Sequence, residues 1–216
     1  VVPIVCATTI EANVREIRLI VAEQPRYNRR SRRPESHHWL KLTAEAAPRL
    51  AVVRRVEDDE AAGARYLGPF PSRTGATLAA EALLLAHPIR TCTSTLARAP
   101  RRLTAACVLA ELDKCLAPCR AGADVAAYAE RVDRLRDTMS GDLRLVARVL
   151  DERMAALAAD ERFEEAAVWR ERLAQLVAGS VRAHRLRALS SAGLLVAAEP
   201  TDDHGRPLPG TTIAVK

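Results

Sequence analysis

The chain has 216 residues, of which 49% are hydrophobic and 28% charged, and its formal net charge is +6. This length allows one or two domains with a buried core, and no apolar run approaches the length of a membrane span. Abundant alanine and leucine with only 3% aromatic residues favour helices over an all-β fold. The arginine surplus indicates a polyanion such as nucleic acid as partner, although many soluble proteins are equally basic.

The first 23 residues predict a short strand, over 1–6, and then a helix. Thr8 and Glu11 form a capping-box pattern, and the helix is expected to run to about Glu23 before Pro25. Apolar residues at helical spacing predict its buried stripe: Ile10, Val14, Ile17 and Val21. The segment at 1–4 is too short for a signal peptide, so we expect a cytoplasmic protein. The chain begins and ends in a predicted apolar strand, so we expect it to be a piece of a longer protein or to begin at an alternative start.

An arginine-rich segment follows this helix, reading Arg-Tyr-Asn-Arg-Arg-Ser-Arg-Arg over 26–33. Arginine makes bidentate contacts with phosphate and tyrosine stacks on bases, so the segment predicts contact with nucleic acid. A solvated loop is the alternative interpretation. The candidate DNA-binding residues are Arg26, Tyr27, Arg29, Arg30, Arg32 and Arg33.

The next stretch predicts strands and a helix. Trp39–Thr43 and Arg49–Val53 read as two strands around a loop. The run Tyr-Leu-Gly-Pro-Phe-Pro-Ser from Tyr66 predicts a turn, and Thr74–Ala86 a helix. The adjacent histidines at 37 and 38 would point to opposite faces of a strand, so they do not predict a metal site.

Four of the five cysteines lie close together in the sequence, at Cys92, Cys107, Cys115 and Cys119. Thiolates at the spacing of the last two can bind one soft metal centre. In a reducing compartment, clustered cysteines favour metal binding over disulfides, whereas the distant Cys6 reads as a buried thiol. Zinc and an iron–sulfur cluster both accept four thiolates, and the residues do not separate them. The alternative is that all five are small core residues.

The second half of the chain predicts helices. Leu103–Lys114 is a short helix bearing Cys107, and Asp124 caps a helix that ends near Met139. Asp142–Ala158 and a helix from Glu161 to about Leu189 predict an antiparallel hairpin. The expected facing residues are Leu143, Val146, Leu150, Met154 and Leu157 on one helix, and Phe163, Ala166, Ala167, Leu173 and Val177 on the other.

The C-terminal segment predicts two short strands, Leu194–Ala198 and Thr211–Val215. The loop between them contains Asp202, Asp203 and His204, which are typical of a turn rather than of a metal site.

Three motifs in order resemble UvrC, the incision subunit of bacterial nucleotide excision repair, over roughly residues 9–180. The cysteine spacing, with the run Cys-Leu-Ala-Pro-Cys from Cys115, resembles the central cysteine region of that family. The runs Trp-Leu-Lys-Leu-Thr from Trp39 and Tyr-x-Gly-Pro-Phe-x-Ser from Tyr66 also resemble UvrC. The insert at 29–38 is more similar to shorter relatives that follow a proofreading-type exonuclease domain. The resemblance implies a 4Fe-4S cluster on the four cysteines, with zinc as the alternative.

Glu16 and the Pro-Arg-Tyr-Asn turn that ends at Asn28 resemble the closing part of the GIY-YIG nuclease domain of UvrC. The resemblance implies that Glu16 binds a divalent ion, Mg²⁺ or Mn²⁺, and that Asn28 shapes the site. The strands that give the nuclease family its name have no counterpart in residues 1–15. One carboxylate alone provides no general base, so we expect the isolated chain not to cut DNA.

The run Asp-Glu-Arg-Phe-Glu-Glu-Ala-Ala from Asp160 resembles the UVR motif, through which UvrC docks on a matching hairpin of UvrB. Residues 151–172 contain seven acids and four arginines, a balance that suits a protein partner better than DNA. A plain structural hairpin with solvated charges is the alternative. The resemblance implies these partner-binding residues: Phe163, Glu164, Ala166, Ala167 and Arg170.

The expected fold class is α+β, mainly α, with a partial GIY-YIG-type α/β unit, a cysteine-rich helical linker and an antiparallel UVR-like hairpin. The expected regions are 1–90 (nuclease-like), 91–122 (cysteine-rich), 123–190 (helical, with the hairpin at about 142–178) and 191–216 (start of a β unit). The resemblance implies a component of nucleotide excision repair whose family makes metal-dependent incisions in DNA. The alternatives are a non-catalytic module that binds DNA and protein, and a structural zinc protein.

Overall fold

The computed structural model describes residues 3–6, 9–26, 37–94, 96, 107–120, 122–191, 197–198 and 214–215. The helices in these ranges are α1 (Thr9–Glu23), α2 (Arg73–Ala86), α3 (Val108–Glu111), α4 (Val125–Ser140), α5 (Arg144–Ala159) and α6 (Phe163–Ser191). The strands are β1 (His38–Leu42), β2 (Leu50–Val53), β3 (Arg65–Phe70), β4 (Ala197–Ala198) and β5 (Ala214–Val215). This mainly helical arrangement with a small antiparallel sheet confirms the α+β class.

The chain divides into two compact units, residues 37–186 and residues 1–36 with 187–216. The first of these contains a three-stranded antiparallel sheet in the order β2-β1-β3. Leu40 lies opposite Leu67, and Leu42 lies opposite Leu50. All four leucines are buried, so one face of the sheet supplies the core. The two strands predicted from the alternating pattern at 39–53 are confirmed.

The turn predicted from Tyr66 is wrong, because Arg65–Phe70 forms β3 and pairs with β1. The prediction relied on Gly68 and Pro69, which are usual turn residues. In the structure Gly68 has φ of 142° and lies where the β1–β3 register shifts between His38 and Leu40. Glycine in a strand commonly marks such an irregularity. Burial of the apolar residues beside it stabilises the strand pairing.

Helix α2 covers the sheet and also packs against α5. The Ser72 hydroxyl caps it by accepting a hydrogen bond from Gly75 N at 3.0 Å, which is the usual way to satisfy a first-turn amide. Its alanine face, with Ala76 and Ala79 fully buried, allows close approach to the strands. The predicted helix at 74–86 is confirmed.

Helices α4, α5 and α6 follow the predicted boundaries closely. Asp124 Oδ1 accepts from Ala127 N at 2.8 Å and caps α4. Helix α5 ends in a turn at 160–162, where Glu161 has φ of 58° and Arg162 N donates to Leu157 O at 2.8 Å. A left-handed residue with such a backward hydrogen bond is the common way to end a helix, and α6 begins directly after it.

The inner face of α6 differs from the prediction. Phe163 is 61% exposed and Val177 42% exposed, whereas Leu176, Gly179 and Ala183 are buried. A Cβ atom added to Gly179 would lie 2.3 Å from Phe70 Cε1. The α6 backbone therefore approaches β3, and this contact selects a different stripe from the one expected for a hairpin alone. On α5, Val146, Leu150 and Leu157 are buried as predicted.

The unit formed by residues 1–36 and 187–216 contains α1 and the β4–β5 pair. Helix α1 lies where the capping-box pattern predicted it, but Val14, Ile17 and Val21 are 43–48% exposed and Ile20 is buried. The predicted stripe is therefore wrong at these three positions, because periodicity does not define which face is covered. Pro3–Cys6 is not a strand. Thr8, the side chain of Ile10 and the loop at 202–204 lie outside the described residues.

Strands β4 and β5 pair antiparallel, with Ala197 opposite Val215. They fall inside the two predicted C-terminal strands and cover two residues of each. In the ranges that the structure describes, none of the helices combines the length and apolar character needed to cross a membrane.

Candidate metal centre and partner surface

The cysteine region lies within the unit of residues 37–186, and all four of its cysteines are described. Cys92 follows α2 and is half-buried, Cys115 is buried, and Cys119 is half-buried. Cys107 is exposed and is the N-cap of α3, which spans only Val108–Glu111. It therefore does not lie inside a helix as predicted, and residues 103–106 lie outside the described part. None of these four cysteines forms a disulfide bond.

The thiol of Cys115 is the cysteine side chain most affected by its surroundings. Burial raises the pKa of the Cys115 thiol, and the Ala117 amide, which donates to its Sγ at 3.3 Å, acts in the opposite direction. Cys107, Cys92 and Cys119 raise the pKa further by repulsion between like charges. A bound cation would offset this repulsion, because its positive charge stabilises the thiolate form of each cysteine.

The backbone between Cys115 and Cys119 turns sharply. Ala117 has φ of 48°, a left-handed conformation that is uncommon for a residue with a Cβ. Both Ala117 and Pro118 are buried. Within the described ranges, however, no three histidine, cysteine, aspartate or glutamate side chains lie close enough together to bind one metal ion. The four cysteines therefore do not form a metal-binding group in the described part of the chain, although four thiolates are ligands that suit a soft metal.

Arg90 is the largest of the fully buried side chains and is 1% exposed. Its Nη1 donates to Cys92 Sγ at 3.6 Å and to Ser94 O at 2.7 Å, and its Nε donates to Ala47 O at 2.8 Å. Its Nη2 forms an ion pair with Glu45. The guanidinium therefore joins the β1–β2 loop to the first cysteine of the region.

Tyr128 on α4 continues this network. Its hydroxyl donates to Pro48 O at 2.6 Å and accepts from the Arg90 amide at 3.3 Å. Burial raises the pKa of this phenol, which keeps it a neutral donor. Arg90 and Tyr128 thus tie the segment before Cys92 to both the β1–β2 loop and α4.

The turn before α6 presents an exposed aromatic side chain among charges. Phe163 is 61% exposed, and Glu164 and Arg170 are also exposed. Arg162 makes a bidentate ion pair with Glu165, with both N–O distances 2.7 Å, which holds the pKa of that carboxyl below its usual range. Ala166 and Ala167 are half-buried. Phe163 is thus an exposed aromatic side chain on a turn that carries charged residues.

Glu16 is exposed on α1 and borders a cleft of about 420 Å³ that Cys6, Arg15 and Ile20 also line. Cys6 is half-buried there. Asn28 lies outside the described residues, as do Tyr27, Arg29, Arg30, Arg32 and Arg33. Arg26 is described and exposed. The nuclease and DNA-binding roles of these residues therefore stay predictions. The structure shows only that Glu16 and Arg26 are exposed to solvent.

Residues 37–138 match the family model of the UvrC/Cho excinuclease middle domain. The chain carries a UvrC/Cho middle domain. This stretch contains the three-stranded sheet, α2, the cysteine region and most of α4, so the candidate metal centre lies wholly inside the matched domain.

Curated relatives extend the similarity beyond the UvrC/Cho middle domain. A Mycobacterium tuberculosis protein named as a bifunctional exonuclease/endonuclease is 37% identical over 195 residues, which cover 90% of this chain and 29% of that protein. UvrABC system protein C of Clostridioides difficile is 30% identical over 80% of the chain and 28% of its own length. The Salinispora tropica protein of the same name is 34% identical over 79% and 25%. The chain therefore spans about a quarter to three tenths of these relatives. No solved structure matches it significantly.

The UvrC/Cho middle domain contains two functional candidates that the sequence did not suggest, Arg90 and its partner Glu45. Arginine is rarely buried unless it is paired, so the sequence provided no reason to expect Arg90 in the core. The one feature of the sequence that could have drawn attention to Arg90 is its position two residues before Cys92. Glu45, three residues beyond β1, gave no signal, because a loop glutamate is normally solvated.

Proposed function

We propose that this chain acts in nucleotide excision repair as part of a UvrC-type nuclease. The observation that carries the proposal is the match of residues 37–138 to the UvrC/Cho excinuclease middle domain. Two relatives named UvrABC system protein C align over 80% and 79% of the chain, which supports the same assignment. The proposed family reaction is metal-dependent hydrolysis of a DNA phosphodiester.

A metal centre on Cys92, Cys107, Cys115 and Cys119 is the first part of the proposal. A 4Fe-4S cluster is our preferred occupant, and zinc is the alternative. Such a centre would cross-link segments that contain few buried apolar side chains, as structural metals do in small domains. The clustering of four cysteines within residues 92–119 supports this assignment.

Docking on a UvrB-like protein through the α5–α6 turn is the second part. Phe163 would insert into an apolar site on the partner, while Glu164 and Arg170 would contact its polar rim. Ala166 and Ala167 would allow close helix packing. An aromatic anchor surrounded by charged residues is the usual arrangement of an interface hot spot.

DNA contact and incision form the third part. The arginine-rich segment at 26–33 would contact phosphates, and Glu16 would hold Mg²⁺ or Mn²⁺ with Asn28 shaping the site. Glu16 is accessible to solvent and borders a cleft, which suits this role. A single carboxylate provides no general base, and this favours a second candidate, a module that binds DNA and UvrB without cutting.

The docking proposal is tested by measuring binding of purified UvrB to the chain by calorimetry. Phe163→Ala should weaken binding by about 30-fold or more, the range of an interface hot spot (~2 kcal/mol). Val181→Ala is the matched control, because Val181 lies on the same helix and is 44% exposed. Binding that is equal for wild type and Phe163→Ala would refute docking through this turn.

Catalysis is tested separately, with a damaged duplex as substrate, UvrB present, and Mg²⁺ or Mn²⁺ added. Incision that is lost in Glu16→Gln would support the nuclease. Binding of DNA and UvrB without incision would support the non-catalytic module.

A further inference from the structure

Three arginines from different elements lie at one edge of the three-stranded sheet. The first of them follows β2. The pairing of β1 with β2 includes Trp39 opposite Val53, so the next step along both strands brings Arg54 opposite His38. Opposing residues of an antiparallel pair point to the same face of the sheet. Arg54 therefore shares a face with His38 where β2 ends.

The other two arginines belong to α2 and α6. His38 lies opposite Phe70, the last residue of β3, and Arg73 begins α2 three residues later. On α6, the Nη1 of Arg182 donates to Pro69 O at 2.7 Å, so this guanidinium lies beside the same end of β3. We call these three residues the arginine cluster: Arg54, Arg73 and Arg182.

The imidazole of His38 shows that two members of the arginine cluster act on one point. Burial lowers the pKa of His38, and the positive charges of Arg54 and Arg73 lower it further, followed by that of His37. The His38 Nδ1 atom is buried and has no hydrogen-bond partner in the described part of the chain. Both guanidinium groups therefore lie near the same ring, and their charges add at this edge of the sheet.

The arginine cluster has no carboxylate to balance it. Arg54 and Arg73 are exposed and Arg182 is half-buried. Among the residues that the structure describes, none of the three forms an ion pair with an acidic side chain. Two acids that follow β2 pair with Lys41 instead, and the first turn of α2 contains no acid. The cluster is therefore an accessible site of positive charge.

We propose that the arginine cluster binds the phosphate backbone of DNA. The guanidinium group gives a phosphate two parallel hydrogen bonds, and DNA presents its phosphates as a regular array of negative charges. The formal net charge of +6 favours such a polyanion over an acidic protein surface. This inference rests on the DNA contact in the proposed function, and it adds a second surface to the arginine-rich segment at 26–33.

The test measures binding of the whole chain to a short fluorescently labelled duplex by anisotropy, at a series of salt concentrations. The logarithm of the association constant falls with the logarithm of the salt concentration, with a slope of about 0.9 per phosphate contact. Arg54→Gln and Arg73→Gln should each make this slope shallower by about 0.9, and the double variant by about 1.8. At low salt the double variant should bind about tenfold more weakly or worse.

Two controls separate a specific contact from a general effect of charge. Arg148→Gln is the matched control, because Arg148 is exposed on α5 and forms no ion pair in the described part of the chain. It removes the same charge and should leave the slope unchanged. Arg54→Lys should keep the wild-type slope, since lysine retains the charge. A slope that falls equally in Arg148→Gln and Arg54→Gln would overturn the proposal. Arg182 is left in place, because its hydrogen bond to Pro69 O also supports the fold.

The remaining outcomes distinguish the arginine cluster from the proposed function. A wild-type chain that does not bind the duplex would overturn the cluster and the DNA contact of the proposed function together. Binding that depends on the arginines at 29–33 but is unchanged in the double variant would overturn the cluster alone. Unchanged DNA binding with weakened UvrB binding in the double variant would assign the cluster to a protein partner and overturn the proposal.

Discussion

Acid should destabilise the chain through His87, which is 1% exposed at the end of α2. Its Nε2 lies 3.0 Å from Thr138 Oγ1, and that hydroxyl donates to Arg134 O at 3.0 Å. Because the hydroxyl proton is already used, His87 Nε2 must carry the hydrogen and donate to Thr138. The other nitrogen, Nδ1, is buried and has no hydrogen-bond partner in the described part of the chain.

Burial, with smaller contributions from Arg131 and Arg134, lowers the pKa of His87 from 6.5 to about 4. Between these values the unfolded chain binds the proton and the folded chain does not, so stability falls as the pH falls from 6.5 toward 4. At 1.36 kcal/mol per pKa unit, the loss is about 2 kcal/mol at about pH 5 and about 3 kcal/mol below about pH 4.

Urea unfolding of the reduced, metal-free chain, followed by circular dichroism between pH 7.5 and about 4.5, measures this loss. His87→Gln keeps a hydrogen-bond donor and removes the titration, so its stability should fall about 2 kcal/mol less than that of wild type between pH 7 and about pH 5. Thr138→Ser retains the hydroxyl and should keep the wild-type pH dependence. Parallel curves for wild type and His87→Gln would refute the assignment of a buried neutral histidine.

Two further predictions concern the helices that frame the site. Gly179→Ala should destabilise the chain by roughly 1–3 kcal/mol through overpacking, since its Cβ would lie 2.3 Å from Phe70 Cε1, and Phe70→Leu should restore part of the loss in a double-mutant cycle. An equal loss with Phe70 present or absent would contradict the contact. Asp124→Ala should cost about 1 kcal/mol by removing the α4 cap, whereas Asp124→Asn should cost only a few tenths. Thermal unfolding of the three chains measures this difference, and equal midpoints would contradict the cap.

The local chemistry of caps and turns predicted most of the helical part of the fold. Asp124 caps α4 as expected, because a capping side chain acts within a few residues. Strand β3 was not predicted, because Gly68 and Pro69 locally indicate a turn. Its pairing with β1 depends on residues that are distant in the sequence. The buried face of α6 was mispredicted for a similar reason. Phe70, which is distant in the sequence, contacts α6 at Gly179, whereas the predicted Val177 is 42% exposed.

The candidate site was predictable only where its chemistry is local. Cysteine spacing predicted a shared metal site, and this stays a prediction, because the four cysteines form no metal-binding group in the described part of the chain. Arg90 and Glu45 could not be predicted, because their pairing joins residues 45 positions apart. The helix predicted over Leu103–Lys114 was too long at its C-terminal end. Helix α3 ends at Glu111, and Asp113 adopts a left-handed conformation with φ of 54°.

The central claim is that the four cysteines of this UvrC/Cho middle domain hold a metal centre. Its most direct test is iron, zinc and sulfide analysis with a visible spectrum of the chain purified without oxygen. Iron and sulfide at about four each per chain, present in Cys6→Ser and lost in a folded Cys115→Ser variant, are the predicted result. About one zinc would retain the four-thiolate site with the alternative metal. A folded wild-type chain that contains neither metal, and takes up neither on reconstitution, would contradict the account.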